Sequence, residues 1–191
     1  RSLAQYEKEK KRYSLHDLAR IFANSRLSAA DRASLQLRNA THYETVLRAA
    51  RKLYERGGDN IKQGLALFDS ERGNTEVGQT WAVVHAEKDD EVAQLCSDYV
   101  DAGVYILPLR LHPRERIRWL EAALAAARKL KDRSAEGAWL GNLGVAYRNL
   151  GEPRKAIEYH EQALVIDREI GDRRGEGNSL DNLGNAWADL G

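Results

Sequence analysis

The 191-residue chain contains no methionine, one cysteine, three prolines and two phenylalanines. A lone Cys96 builds neither an internal disulfide framework nor a cysteine zinc site, and a reducing compartment such as the cytoplasm fits it. No apolar run approaches the roughly 20 residues that a membrane helix needs, so no membrane role is expected. No charge of one sign dominates: 30 Lys and Arg stand against 29 Asp and Glu. A dedicated nucleic-acid binder usually carries a strong basic excess, so none is expected here. No G-x-x-x-x-G-K-[ST] phosphate loop occurs. Gly57-Gly58 lacks the Lys-Ser/Thr that should follow, and Gly171, Gly175 and Gly177 make no dinucleotide fingerprint. No two of the five histidines lie at i, i+3 or i, i+4, which argues against a helix-borne metal site. No nucleophile–base set can be argued either, so this stretch is expected to be no enzyme and to hold no cofactor. Starting at Arg1 without a methionine, it is expected to be a piece of a longer polypeptide.

What charge there is falls unevenly. Residues 1–60 carry 13 basic and 7 acidic side chains, residues 61–112 carry 4 and 9, and residues 113–191 carry 13 of each. Three zones of different character are expected, their charges lying on solvated helix faces.

The last 80 residues repeat. Sliding 112–151 onto 152–191 gives 18 identities in 40 positions. Pro113 meets Pro153, Ile117 meets Ile157, and Asp132-Arg133 meets Asp172-Arg173. Glu136-Gly137 meets Glu176-Gly177, and Asn142-Leu143-Gly144 meets Asn182-Leu183-Gly184. A fixed period of this length marks a solenoid, whose units bury their apolar faces by stacking. Each unit reads as two helices. One spans Pro153 to about Ile170, with Ala156, Ile157, His160, Ala163 and Leu164 inward and Asp167 and Arg168 outward. The next spans about Arg174 to Leu190, with Leu180, Leu183, Gly184, Ala186 and Trp187 inward. Its counterpart runs from Ala135 to Leu150. Asp132-Arg133 and Asp172-Arg173 read as inter-repeat ion pairs or turn residues. Glu91 to about Leu107 and His112 to Leu130 form a degenerate preceding hairpin, with His112 serving the turn.

Leu140-x2-Leu143-Gly144-x2-Tyr147 and Leu180-x2-Leu183-Gly184-x2-Trp187 resemble the tetratricopeptide repeat. His160 stands where that repeat usually has an aromatic, and Arg168 where it has a proline. The 40-residue period, with Leu140-Gly141-Asn142 and Asn182-Leu183-Gly184-Asn185, resembles the proteins named for Leu-Gly-Asn repeats and, more loosely, kinesin light chains. The resemblance implies a concave face that binds the backbone of an extended partner peptide through asparagines. The matching positions are Asn142, Asn182 and Asn185, and helical spacing puts Arg148, Asp181 and Asp189 on or near the same face. An asparagine both donates and accepts, as a backbone amide does. Val145 stands where a further asparagine would be expected. The same asparagines could equally bind water or bridge neighbouring repeats.

Upstream, Ala30 to Arg56, Asn60 to Arg72 with Asn60 as N-cap, and Asn74 to about Ala86 read as three helices. Ser2–Tyr6 and Arg12–Leu15 read as a hairpin, and Leu18 to Ala23 as a helix. Arg12-Tyr13-Ser14-Leu15-His16-Asp17-Leu18-Ala19-Arg20 resembles the end of the winged-helix subdomain of STAND nucleotide switches such as NB-ARC proteins. The resemblance implies that His16 would contact the β-phosphate of ADP and that Asp17 would orient the loop.

The expected fold is all-α: a helical-hairpin superhelix after a helical connector and a short β-hairpin remnant. The expected division is a winged-helix tail at 1–25, a connector at 26–90, a degenerate capping repeat at 91–130 and repeats at 131–191, the last incomplete. The expected role is an interaction or sensor module of a STAND-type signalling switch, whose partner is a protein or peptide. ATP or ADP would belong to the full-length protein. The incomplete repeat could support self-association. The alternative is a stand-alone peptide-binding scaffold. A hydrolase using His16-Asp17 and a nucleic-acid role for the basic first segment are less well supported.

Overall fold

The computed structural model describes residues 4–8, 12–15, 21–22 and 25–191. The chain divides into two compact units, residues 1–38 and 39–191. In the first, β1 (Ala4–Glu7) pairs antiparallel with β2 (Arg12–Leu15), in the register Ala4↔Leu15 to Glu7↔Arg12. His16, Asp17 and most of the helix expected at Leu18–Ala23 lie outside the described residues. Helix α1 (Ala29–Glu55) begins where the Ser28 hydroxyl accepts the Asp31 N–H, the capping role short polar side chains take at helix starts. It stops at Gly57 and Gly58, whose φ angles of 73° and 58° suit glycine.

Helix α2 (Asp59–His85) corrects the sequence reading. One helix replaces the two expected, running through Gly73, and Gly58 rather than Asn60 is its N-cap. Asn60 instead donates from its side chain to the Gly57 carbonyl, at 3.3 Å. A helical glycine costs about 1 kcal/mol against alanine, too little to divide a helix held by tertiary packing. That packing comes from Phe68, Thr75, Gly78, Gln79 and Ala82, all buried.

Asp89 caps α3 (Asp90–Ala102), accepting from the Glu91 and Val92 N–H groups. The buried Tyr99 of α3 donates its hydroxyl to the Ala40 carbonyl of α1 at 2.7 Å, and Gly78 of α2 leaves room for that ring. At the end of α3, Asp101 receives Arg48 at 2.9 Å and Arg51 at 3.1 Å, both from α1. A single turn, α4 (Leu107–Arg110), leads to the repeats.

Helices α5 (Pro113–Leu130), α6 (Arg133–Asn149), α7 (Pro153–Ile170) and α8 (Arg173–Ala188) pack as successive hairpins, each against the next. The architecture is an all-α, tetratricopeptide-like helical-repeat superhelix. The repeated residues have repeated duties. Pro113 and Pro153 occupy first turns, where a missing N–H costs nothing. His112 serves the turn as the α5 N-cap, its Nδ1 accepting from the Arg114 N–H at 3.2 Å. Asp132 accepts from the Ala135 N–H, and Asp172 from those of Arg174 and Gly175, so both aspartates are N-caps. The ion pairs run through the arginines beside them: Arg133 of α6 reaches Glu169 of α7, the inter-repeat pairing expected of Asp132-Arg133. Glu136 is held by Arg128 and Arg133, and Glu176 by Arg168 and Arg173.

Two further readings need correction. Asp167 faces inward: it is 6% exposed and accepts from the Ser179 hydroxyl at 2.7 Å. It lies seven residues after His160 and four after Ala163, on the same helical face as both. Leu180, Gly184 and Trp187 are exposed rather than inward, because α7 covers α8 on one side and no described element covers the other. The inner side of α8 is Leu183 and Ala186, packed with Ala156 and Ile157.

Candidate partner-binding groove

Helices α6 and α8 carry the repeated Leu-x2-Leu-Gly stretch and lie beside one another, with α7 packed against both. Close approach rests on small residues. Gly144 of α6 faces the His160 ring of α7 so closely that a Cβ there would collide with it. Gly137 stands against Ile166 and Asp167, where an added Cβ would fit only tightly, at 3.1 and 3.3 Å. With α6 and α7 in contact, the outer faces of α6 and α8 leave an open groove of about 550 Å3 between them.

Asn142 lines this groove from α6, and Asp181 and Asn182 line it from α8. Three of the six expected residues thus come together. The other three lie outside it. Arg148 and Asp189 form a two-pronged ion pair, at 2.6 and 3.4 Å, that ties α6 to the end of α8. Its hydrogen bonds hold the Asp189 carboxyl below its ordinary value and raise the Arg148 guanidinium. Asn185 donates to the Asp181 carboxylate at 3.3 Å, which orients that carboxylate along α8.

Asn142 spans two helices. Its Oδ1 accepts from Arg116 of α5 at 3.2 Å, and its Nδ2 donates to the Ala138 carbonyl one turn back. The bridging reading therefore applies to Asn142, which keeps one Nδ2 hydrogen and one lone pair in hand.

The sequence reading missed Asn178 and Arg174, which line the groove on α8, and Ser134, Gly137, Ala138 and Gly141 on α6. Helical spacing carried the signal. Asn178 and Arg174 lie one and two turns before Asn182, and Gly137 and Gly141 continue the stripe that ends at Val145. Small residues on one wall face amides, an arginine and a carboxylate on the other, so donors and acceptors run along the groove. That suits an extended chain, whose amides need both. Among the described residues, no three His, Cys, Asp or Glu side chains gather to hold a metal ion, and no helix is long and apolar enough to cross a membrane.

Asp167 and Asp172 also border the groove, but Asp167 is engaged by Ser179, and Asp172 caps α8. The two aspartates therefore shape the wall, while Asp181 and the asparagines offer contacts.

No curated protein matches the chain. Residues 117–169, most of α5 through nearly all of α7, match the family model of the tetratricopeptide repeat, a unit that serves as a protein–protein interaction scaffold.

Proposed function

We propose that the groove between α6 and α8 binds an extended segment of a partner protein, with Asn142 and Asn182 hydrogen-bonding its backbone. The observation that carries this reading is the convergence of Asn142, Asp181 and Asn182 on one open slot. Arg148 and Asp189 brace the far end of the slot's two helices. The test uses peptides selected from a random library on the 191-residue protein. Binding that falls at least tenfold in Asn142→Ala/Asn182→Ala, with helical content intact, supports the groove. Binding indifferent to both changes sinks it.

The wider role is that of a sensor module in a STAND-type nucleotide switch, partner binding biasing a two-state core. It rests on the order of the Leu15-His16-Asp17 motif, the helical connector and the repeats. A phosphate loop and a Walker B acid within about 300 residues upstream, one or two domains' length, would support this role, and their absence would refute it. A stand-alone peptide-binding scaffold is equally consistent with the groove. The exposed Leu180 and Trp187 add a second contact, the face of a second copy. The repeat supports that occupant, since the matching Leu140 of α6 is buried. Concentration-dependent dimerisation in sedimentation, lost in Leu180→Ser/Trp187→Ser, tests it; a monomer at all concentrations refutes it.

A further inference from the structure

Helices α2 and α5 both pack on α3, and a crevice runs between them. It has two chambers that share Val83. The first, about 300 Å3, is polar: Glu76 and Gln79 of α2 meet Glu115, Arg118 and Trp119 of α5. The second, about 430 Å3, is mostly apolar: Ala86 of α2 meets Ala122, Ala125 and Ala126 of α5, together with the buried Cys96. On both helices the polar residues come before the apolar ones, so the crevice changes character along one direction. Small-molecule sites have this size, roughly 300–1,000 Å3, and this build, an apolar body with a few placed polar groups.

The polar chamber holds donors with nothing to donate to. Gln79 and Trp119 are each 5% exposed, and neither side chain has a hydrogen-bond partner among the described residues. Neither is sealed away, since the only enclosed, unpartnered side-chain nitrogens or oxygens among those residues belong to His160. Arg118 also has no carboxylate partner among the described residues. The two carboxylates that share its chamber, Glu76 and Glu115, are both held by Arg72, at 2.6 and 3.1 Å. Arg118 is thus a spare positive charge beside two largely buried donors. Buried polar groups in native proteins are almost always paired, and these two lack a partner on the chain itself.

We infer that the crevice binds a small amphiphile, with its apolar body in the alanine-lined chamber and its carboxylate among Arg118, Gln79 and Trp119. Arg118 offers a carboxylate a fork of charge-assisted hydrogen bonds, and the Gln79 amide and the Trp119 indole add neutral ones. The apolar chamber offers no comparable spare cation: Lys129 there is engaged by Asp90 at 2.6 Å. From Arg118 to Ala126, α5 rises about 12 Å, the reach of a medium-length alkyl chain. The site uses helices other than α6 and α8, so it stands or falls apart from the groove between them.

The test titrates the 191-residue protein with decanoate by calorimetry. Saturable binding at one site per chain is expected. Ala125 is exposed, so Ala125→Trp should keep the circular dichroism of the parent, fill the apolar chamber and weaken binding at least tenfold. If it fails to fold, Ala122→Leu fills the chamber instead. Arg118→Gln should weaken binding about fivefold or more. No saturable binding, binding untouched by the chamber-filling variant, or binding indifferent to Arg118→Gln would each overturn the site. So would a library-selected peptide, or a dimer in sedimentation, that Ala125→Trp abolishes while decanoate fails to bind, since a partner segment or a second copy would then be the occupant.

Discussion

Gly144 gives up its side chain to the ring of His160, and that ring, fully buried, has no hydrogen-bond partner on either nitrogen. Gly144→Ala should therefore destabilise the fold by about 1–3 kcal/mol through overpacking, less the gain of about 1 in helix propensity. The penalty should vanish in a His160→Ala background, where the Cβ meets no ring. Urea unfolding of the four variants measures the coupling, and additive effects would contradict the contact.

His160 also sets a pH dependence. Burial lowers its pKa from 6.5, and the Arg148 charge lowers it further. The folded state thus disfavours protonation, and the unfolded chain binds the proton first as pH falls. Stability from this source is complete above about pH 6.5 and is lost as pH falls through that value toward the lower folded one. The slope is at most about 1.4 kcal/mol per pH unit. His160→Phe should flatten the fall below about pH 6.5 and raise stability, since it removes two orphaned polar atoms. An unchanged pH profile would refute the assignment.

Lys131 closes α5 in the left-handed region, with φ 57°, where Gly171 closes α7 at φ 72°. A side chain there costs about 1–2 kcal/mol that glycine avoids. Lys131→Gly should raise stability by about 1 kcal/mol and Gly171→Ala should lower it by a similar amount. Equal stability of the two variants and the parent would contradict this.

Asp132 and Asp172 act as N-caps, and their removal should show it. Asp132→Ala should cost about 1 kcal/mol. The loss should persist at 1 M salt, where an exposed ion pair would be screened. A loss that disappears at high salt would restore the ion-pair reading.

Cys96 is fully buried, and burial pushes its thiol up to about 12. The thiolate, which reacts, is then nearly absent at neutral pH. Thiol reagents should label the native protein slowly and the urea-unfolded protein at once; equal rates would place the sulfur elsewhere.

The repeats were the most legible part of the chain. Period, paired prolines and apolar stripes marked out helices that the structure places within a residue or two. Pro153–Ile170 agrees at both ends. Where structure and sequence differ, geometry outweighs residue type. Two helices on either side of Gly73 are what the residue types suggest, while packing carries α2 past it. Asp167, expected to face outward, is held inside by its helical spacing and by Ser179. Asn142 and Asn182 were legible from the repeat, but the crevice between α2 and α5 was not. Its walls come from helices far apart in sequence, and Gln79 looks like a surface residue until its burial is known.

The central claim is that the α6–α8 groove holds an extended partner segment. The most direct measurement is the affinity of a library-selected peptide for the parent and for Asn142→Ala/Asn182→Ala, read by fluorescence anisotropy. The account predicts at least a tenfold weakening with unchanged circular dichroism. Equal affinity for both proteins would contradict it.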